Sequence, residues 1–283
     1  MNTLSQRNIF LVVGPFGDGK THFLNLLRDV IVPEFGFPLE YVPISDAHTI
    51  TKRLLEDDET SGVNHYHPAT REAALVGDFH HKHDDSLNIY PFTVAGNQII
   101  TAMTIDFLHR LNQVPAGNTI HLAEWSLGVN TNKPSEPASR TTAFSCDTIA
   151  QYLHDGTYPT EGFQKVFAVI HPVTTFDNRL RFNAMRDIPS SEDIALGRKS
   201  WMIAPEGMNI TGEDNFEILV PVLQSFGIPF IVDVPNNVLP DEIRYDEAQR
   251  EIIFHLRKAV LDWSEEVWHG GERGQRGQSI ELG

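Results

Sequence analysis

The sequence predicts a three-layer α/β fold, a mostly parallel five-stranded sheet with helices on both faces. Three observations predict it. Five short apolar runs are bounded by polar or turn residues, as strands buried on both faces are. Amphipathic segments alternate with them, the pattern of parallel strands joined by crossover helices. The first run also passes directly into a glycine-rich stretch and then a helix.

The elements follow in chain order. Ile9–Val13 is the first strand, and Thr21–Ile31 is a helix with Leu24, Leu27 and Ile31 on one side, stopped by Pro33. Glu40–Ile44 is the second strand, ending at Ser45 and Asp46. Residues 47–95 are polar, rich in His and Asp, and weakly periodic; Thr49–Leu55 reads as a short helix and the remainder as a substrate-side insertion or a mobile region. Gly96–Leu111 is a helix, with Ile100, Met103, Phe107 and Leu111 at three- and four-residue spacing. Thr119–Ala123 is a strand ending at Glu124. Lys133–Thr142 is a Pro/Ser-rich loop, Phe144–Leu153 a helix, and Val166–Ile170 a strand closed by His171 and Pro172. Thr175–Arg186 is a helix and Ile188–Ser200 a polar connection. Asn215–Phe226 is a helix stopped by Gly227, Pro229–Val234 the fifth strand, and Asp246–Trp268 a long terminal helix. Residues 1–269 form one domain and 270–283 a flexible tail.

Composition narrows the function. The chain is 283 residues long and 41% hydrophobic, enough for a sizeable core. Its formal net charge of −16 repels phosphate backbones, so neither nucleic acid nor an anionic membrane is the expected partner. Any anionic ligand then needs a local cationic pocket. The one cysteine, Cys146, can form no internal disulfide, which fits a reducing compartment. Met1 to Asn8 lacks the apolar stretch of a secretory signal, and no run approaches the roughly 20 apolar residues of a membrane span. A cytoplasmic protein is expected. The terminal helix, with Trp263 and Trp268, offers a face for a homodimer.

In a mostly parallel sheet the chemistry sits beyond the carboxyl ends of the strands. Those positions are Gly14–Thr21, Asp46, Glu124, His171 onward, and Val234–Asn237. The first is the most specific. Gly14-Pro15-Phe16-Gly17-Asp18-Gly19-Lys20-Thr21 meets every fixed position of G-x-x-x-x-G-K-[ST]. Glycines such as Gly14, Gly17 and Gly19 let the main chain curl until successive N–H groups face a phosphate. The following helix adds its positive dipole end. Lys20 reaches the β/γ-phosphates, and Thr21 offers its hydroxyl to Mg²⁺. Asp18, a carboxylate beside a phosphate site, is expected to point outward. The expected ligands are ATP and Mg²⁺.

Glu124 ends an apolar strand where a carboxylate can hold Mg²⁺. Asp46 ends another, where it can take the hydroxyl proton of an acceptor or cap a helix beginning near His48. Arg179 and Arg186 are seven apart and share a helix face, while Arg181 is about 200° from Arg179. Guanidinium groups suit the spread charge of a transferring phosphoryl group. The alternative for the arginines is a solvated, salt-bridged face. His65, His67, His80, His81 and His83, with Asp78, Asp84 and Asp85, match no metal-ligand spacing and read as a polar surface or a substrate-lining loop. Asn132-Lys133-Pro134-Ser135 lacks the final Asp of the guanine-reading Asn-Lys-x-Asp, which disfavours a GTPase switch.

The layout resembles the P-loop kinases of nucleosides, nucleoside monophosphates and other small molecules, and so the P-loop NTPase fold. Glu124-Trp125-Ser126 is similar to the Glu-Arg-Ser motif of deoxynucleoside kinases and the Asp-Arg motif of thymidylate kinases, with Trp125 where those families carry arginine. The resemblance implies ATP-dependent transfer to a small-molecule acceptor, with Arg179 and Arg186 closing on the donor phosphates. The alternative is a regulatory P-loop NTPase that hydrolyses or only binds nucleotide.

Overall fold

The computed structural model describes residues 6–15, 17–46, 80–83, 86–89, 94–127, 145–185, 202–203, 214–240 and 242–268. The expected helix Thr49–Leu55, the loop Lys133–Thr142, the segment Asn132–Ser135, Arg186 and the tail lie outside them.

Five strands form the main sheet: β1 (Ile9–Pro15), β2 (Leu39–Ser45), β5 (Ile120–Leu127), β6 (Val166–Val173) and β8 (Phe230–Pro235). Their order is β2-β5-β1-β6-β8, and every pairing is parallel. Each expected strand is present, and all five run at least one residue past the expected end. Pairing carries them on, because an added ladder bond does not require an apolar side chain.

β1 shows why the sheet is covered on both sides. Successive side chains of a strand point to opposite faces. Ile9, Leu11 and Val13 enter one core with Phe107, Trp125, Leu153, Phe163 and Leu223. Phe10 and Val12 enter the other with Leu24, Leu27, Ile170, Leu256 and Trp263. Helices α1 (Lys20–Leu26), α2 (Val32–Phe35) and α7 (Tyr245–Trp263) supply the second face. Helices α3 (Val94–Gln113), α4 (Cys146–His154) and α6 (Val220–Ser225) supply the first. The result is the three-layer arrangement expected.

Four local differences have physical causes. The helix after β1 passes through a π turn at Leu27–Ile31, and Pro33 then starts a new turn rather than ending the helix. Proline is tolerated in a first turn, where its missing N–H costs nothing. The expected helix Asn215–Phe226 divides into a 3₁₀ turn, Phe216–Ile218, and α6, because Pro221 occupies the first turn of α6. β3 (His80–His83) and β4 (Ser86–Ile89) pair antiparallel, and β4 pairs parallel with β7 (Met202–Ile203). The strands of this second sheet are two to four residues long, too short for a period to announce them, although Ser86-Leu87-Asn88-Ile89 alternates. Finally, Trp263 is fully buried against Phe10 and Phe37, and its indole N–H donates to the Arg7 carbonyl at 2.8 Å. It is core, not the partner-facing residue expected. α7 exposes Phe254 and Leu261 instead.

β1 is the middle strand. The chain leaves it toward the β2 edge and leaves β6 toward the β8 edge. The carboxyl ends of β1 and β6 therefore border the crevice where the sheet changes winding direction.

Candidate functional site

The loop between β1 and α1 carries the site. Gly17 and Gly19 have φ of 83° and 90°, a region that side-chain-bearing residues rarely adopt. Gly19 has a second reason to lack a side chain, because a Cβ there would stand 2.4 Å from Asn236 Nδ2. This curled main chain between strand and helix is the form the spacing predicts.

Lys20 is 4% exposed. Its ammonium donates to the carbonyls of Gly14 at 2.9 Å and Pro15 at 2.6 Å, and to Asp18 Oδ1 at 3.2 Å. The lysine thus ties the end of β1 to the start of α1. Asp18 does not point outward. It is 1% exposed, and its Oδ1 also accepts the Lys20 main-chain N–H at 3.2 Å. The Lys20 charge and this N–H draw it inward, against the expectation of repulsion from a phosphate site. Burial raises the Asp18 pKa, and the positive charges of Lys20 and His171 oppose that rise.

Thr21 and Glu124 come together as expected. Thr21 Oγ1 donates to Glu124 Oε1 at 3.5 Å, across 103 residues of sequence. The register of β1 on β5, with Val12 beside Glu124 and Gly14 beside Ser126, brings the carboxylate to the loop. Asp46 lies one strand further out. Its Oδ2 accepts the Ser126 N–H at 2.7 Å and its Oδ1 the Ser126 hydroxyl at 3.3 Å. Arg110 of α3 donates to the Ser45 carbonyl at 3.0 Å beside it.

Trp125 faces away from all of this. It is 1% exposed and packs against Phe107 and Phe163 with ring centroids at 5.8 and 6.1 Å. Adjacent strand residues alternate faces, so a residue next to Glu124 on this strand enters the core rather than the loop.

Arg179 lies in α5 (Phe176–Ala184), whose N-terminal Thr175 accepts from the Asn178 N–H at 3.3 Å. Arg179 is 1% exposed, and its guanidinium stands 5.4 Å from the Phe176 ring centroid. Burial lowers its pKa, while the charges of Asp18 and Asp214 act in the other direction. Arg181 projects elsewhere and meets Glu242 at 3.2 Å near solvent. That separation is what the helical angle predicts.

Behind the loop lies a polar network that the sequence reading reached only in part. The Asp18 carbonyl accepts from Asn236 Nδ2 at 2.7 Å. Thr174 Oγ1 is 3.1 Å from the carbonyl oxygens of both Asp18 and Asn236, and its one hydrogen serves the pair. Nearby, the ring nitrogens of His171 each meet a carboxylate at 2.8 Å, Nδ1 with Asp233 and Nε2 with Asp214. The ring also stacks on Phe216 at 4.2 Å. His171, Asn236 and Asn237 lay among the strand-end positions; Thr174 followed them closely, but nothing in the spacing pointed to Asp214.

Burial of His171 disfavours its charge. The hydrogen bond and charge of Asp214, the bond to Asp233 and the charge of Asp18 outweigh that, so its pKa is raised. For Asp214 burial acts upward, but the His171 bond and charge win and its pKa is lowered. A raised histidine pKa gives stability that is complete below the unfolded value of about 6.5 and lost as pH rises through the native value. A lowered aspartate pKa gives stability present above about 3.9 and lost as pH falls through the native value. The melting-temperature gap between the protein and His171→Gln should therefore be widest at about pH 5–6 and narrow toward about pH 9. An unchanged gap across that range, measured by calorimetry, would contradict the charged pairing.

His80, His81 and His83 fall on β3, away from the main sheet. Among the described residues no group of three or more His, Cys, Asp or Glu is placed to hold a metal ion. Among those same residues, no helix is long and apolar enough to cross a membrane.

No family model and no curated protein matches the chain. Among solved structures it is similar to shikimate kinase from Acinetobacter baumannii in complex with shikimate, at 13% identity and a TM-score of 0.33, covering 90% of this chain and 96% of that one. It is similar to shikimate kinase from Bacteroides thetaiotaomicron at 11% identity and a TM-score of 0.35, covering 90% and 98%. TT1252 from Thermus thermophilus matches at 14% identity and a TM-score of 0.34, covering 91% and 97%. Likenesses this distant leave the chemistry to be argued from the site.

Proposed function

We propose that this chain is an ATP-dependent phosphotransferase, moving a γ-phosphoryl group to a small acceptor such as a nucleoside, a nucleotide or another hydroxyl compound. The observation that supports it most is the meeting of three parts at the carboxyl ends of β1 and β5. They are a loop curled through Gly17 and Gly19, Lys20 on that loop, and the Thr21–Glu124 pair.

Mg²⁺ suits the last pair. A hydroxyl and a carboxylate are hard oxygen donors, and this ion is commonly held by one or two carboxylates together with substrate phosphates. Thr21 and Glu124 would hold it, and when bound it neutralises charge on the phosphate oxygens. Lys20 adds a positive charge beside the loop amides. Arg179 contributes a second from behind the loop, and Arg186, seven residues on, is its proposed companion. Asp46 is proposed to take the acceptor's hydroxyl hydrogen. Its carboxylate is fixed in orientation by Ser126, as a positioned base requires. The rate gain on this reading is positional and electrostatic, with no covalent intermediate on the protein.

The test is a transfer assay with γ-labelled ATP, Mg²⁺ and a panel of nucleosides, nucleotides and small alcohols. Label is expected on one acceptor class, in proportion to acceptor added. Phosphate release indifferent to every acceptor would instead support a regulatory NTPase.

A further inference from the structure

In a phosphate-cradling loop the lysine ammonium and the loop amides are the donors aimed at the ligand. Here two of those donors already face an anion. Asp18 Oδ1 lies 3.2 Å from the Lys20 main-chain nitrogen and 3.2 Å from Lys20 Nζ. The other oxygen, Oδ2, lies 1.8 Å from where a Cβ on Gly14 would stand, so the carboxylate is packed against the glycine near the end of β1 that opens the motif. Oδ2 is buried with no hydrogen-bond partner among the described residues. A carboxylate buried with one oxygen unsatisfied is an insecure occupant.

We infer that Asp18 is the resident anion of this cradle and its specificity-determining residue, so that a ligand enters only by displacing the carboxylate from Lys20. The inference rests on the phosphate-binding reading above and narrows the ligand class. The Asp18 carbonyl is gripped by Asn236 and Thr174 from the ends of β8 and β6. The main chain is thereby held while the side chain turns out. Inorganic phosphate offers Lys20 the kind of contact it already has, and little more. A nucleoside triphosphate with a divalent cation brings contacts at Thr21 and Glu124 as well. The cradle therefore admits polyphosphates carrying a metal ion and excludes single phosphates.

The test is calorimetric titration of the full chain, Asp18→Ser and Asp18→Asn with ATP and Mg²⁺, and separately with inorganic phosphate. Asp18→Asn keeps the shape and loses the charge, so it guards against a packing defect in the serine variant. Both variants are first checked for a cooperative melt. Asp18→Ser is expected to bind ATP with Mg²⁺ about tenfold more tightly than the parent and to gain measurable phosphate binding. Asp18→Asn should fall between the two. Folded variants that bind ATP no more tightly than the parent would overturn the inference and leave the phosphate site standing. A parent protein that takes up phosphate as readily as Asp18→Ser would overturn it too. If none of the three proteins binds ATP, the phosphate-binding reading and the inference fall together.

Discussion

Lys20→Ala should lower phosphoryl transfer by on the order of 10²–10³-fold, the usual cost of removing one donor that stabilises transition-state charge. The same change should also weaken the fold, and the two effects must be separated. Lys20 and Asp18 form an ion pair whose side chains are 3% and 1% exposed. Removing one member of a buried pair leaves the other uncompensated, at a cost of about 3–5 kcal/mol. The raised pKa of Asp18 offsets part of that, because its carboxyl can take up a proton. The double variant Lys20→Ala/Asp18→Ala removes both charges and should recover much of the lost melting temperature. Its transfer rate should stay as low as that of Lys20→Ala. Recovery of transfer together with stability would mean that Lys20 serves the fold and not the phosphates.

The second large effect concerns the residue that departs from the kinase motifs. Replacing Trp125 with arginine restores the motif on paper, yet it should prevent folding. Trp125 fills the core between Phe107 and Phe163. Losing a buried tryptophan costs about 3–5 kcal/mol. An unpaired guanidinium in the same place adds several more. Together these reach the total stability of an ordinary domain, about 5–15 kcal/mol. Trp125→Arg is therefore expected to express as insoluble protein or to show no cooperative melt, whereas Trp125→Phe should fold and retain transfer. A soluble, more active Trp125→Arg would show that this side chain faces the phosphates.

That contrast shows what the sequence could and could not disclose. Ile9–Val13 announced a central strand because a strand covered on both faces has no polar side to hide. The loop from Gly14 to Thr21 was legible because its donors come from one short stretch, so spacing alone fixes the geometry. Glu124 could be placed beside Thr21 from the strand-end rule. The inward turn of Asp18 was not legible, because it depends on Lys20 folding back to present both its N–H and its ammonium to the carboxylate, and the grip of Thr174 and Asn236 on the Asp18 carbonyl comes from 156 and 218 residues away. His171 and Asp214 meet through tertiary packing as well, and no local pattern links them. For Trp125 a signal was available. The two-residue period of a strand puts it on the face opposite Glu124. In the second sheet β3 is polar throughout, β7 is two residues long, and the alternation of Ser86-Leu87-Asn88-Ile89 in β4 spans only four residues, too little for a period to stand out.

The most direct test of the whole account is calorimetric titration of the intact chain with ATP, in the presence of Mg²⁺ and then of EDTA. Saturable one-to-one binding is expected, weakening markedly without the metal and disappearing in the Lys20→Ala/Asp18→Ala variant. Absence of binding by the folded parent protein, or binding indifferent to both the metal and Lys20, would contradict it.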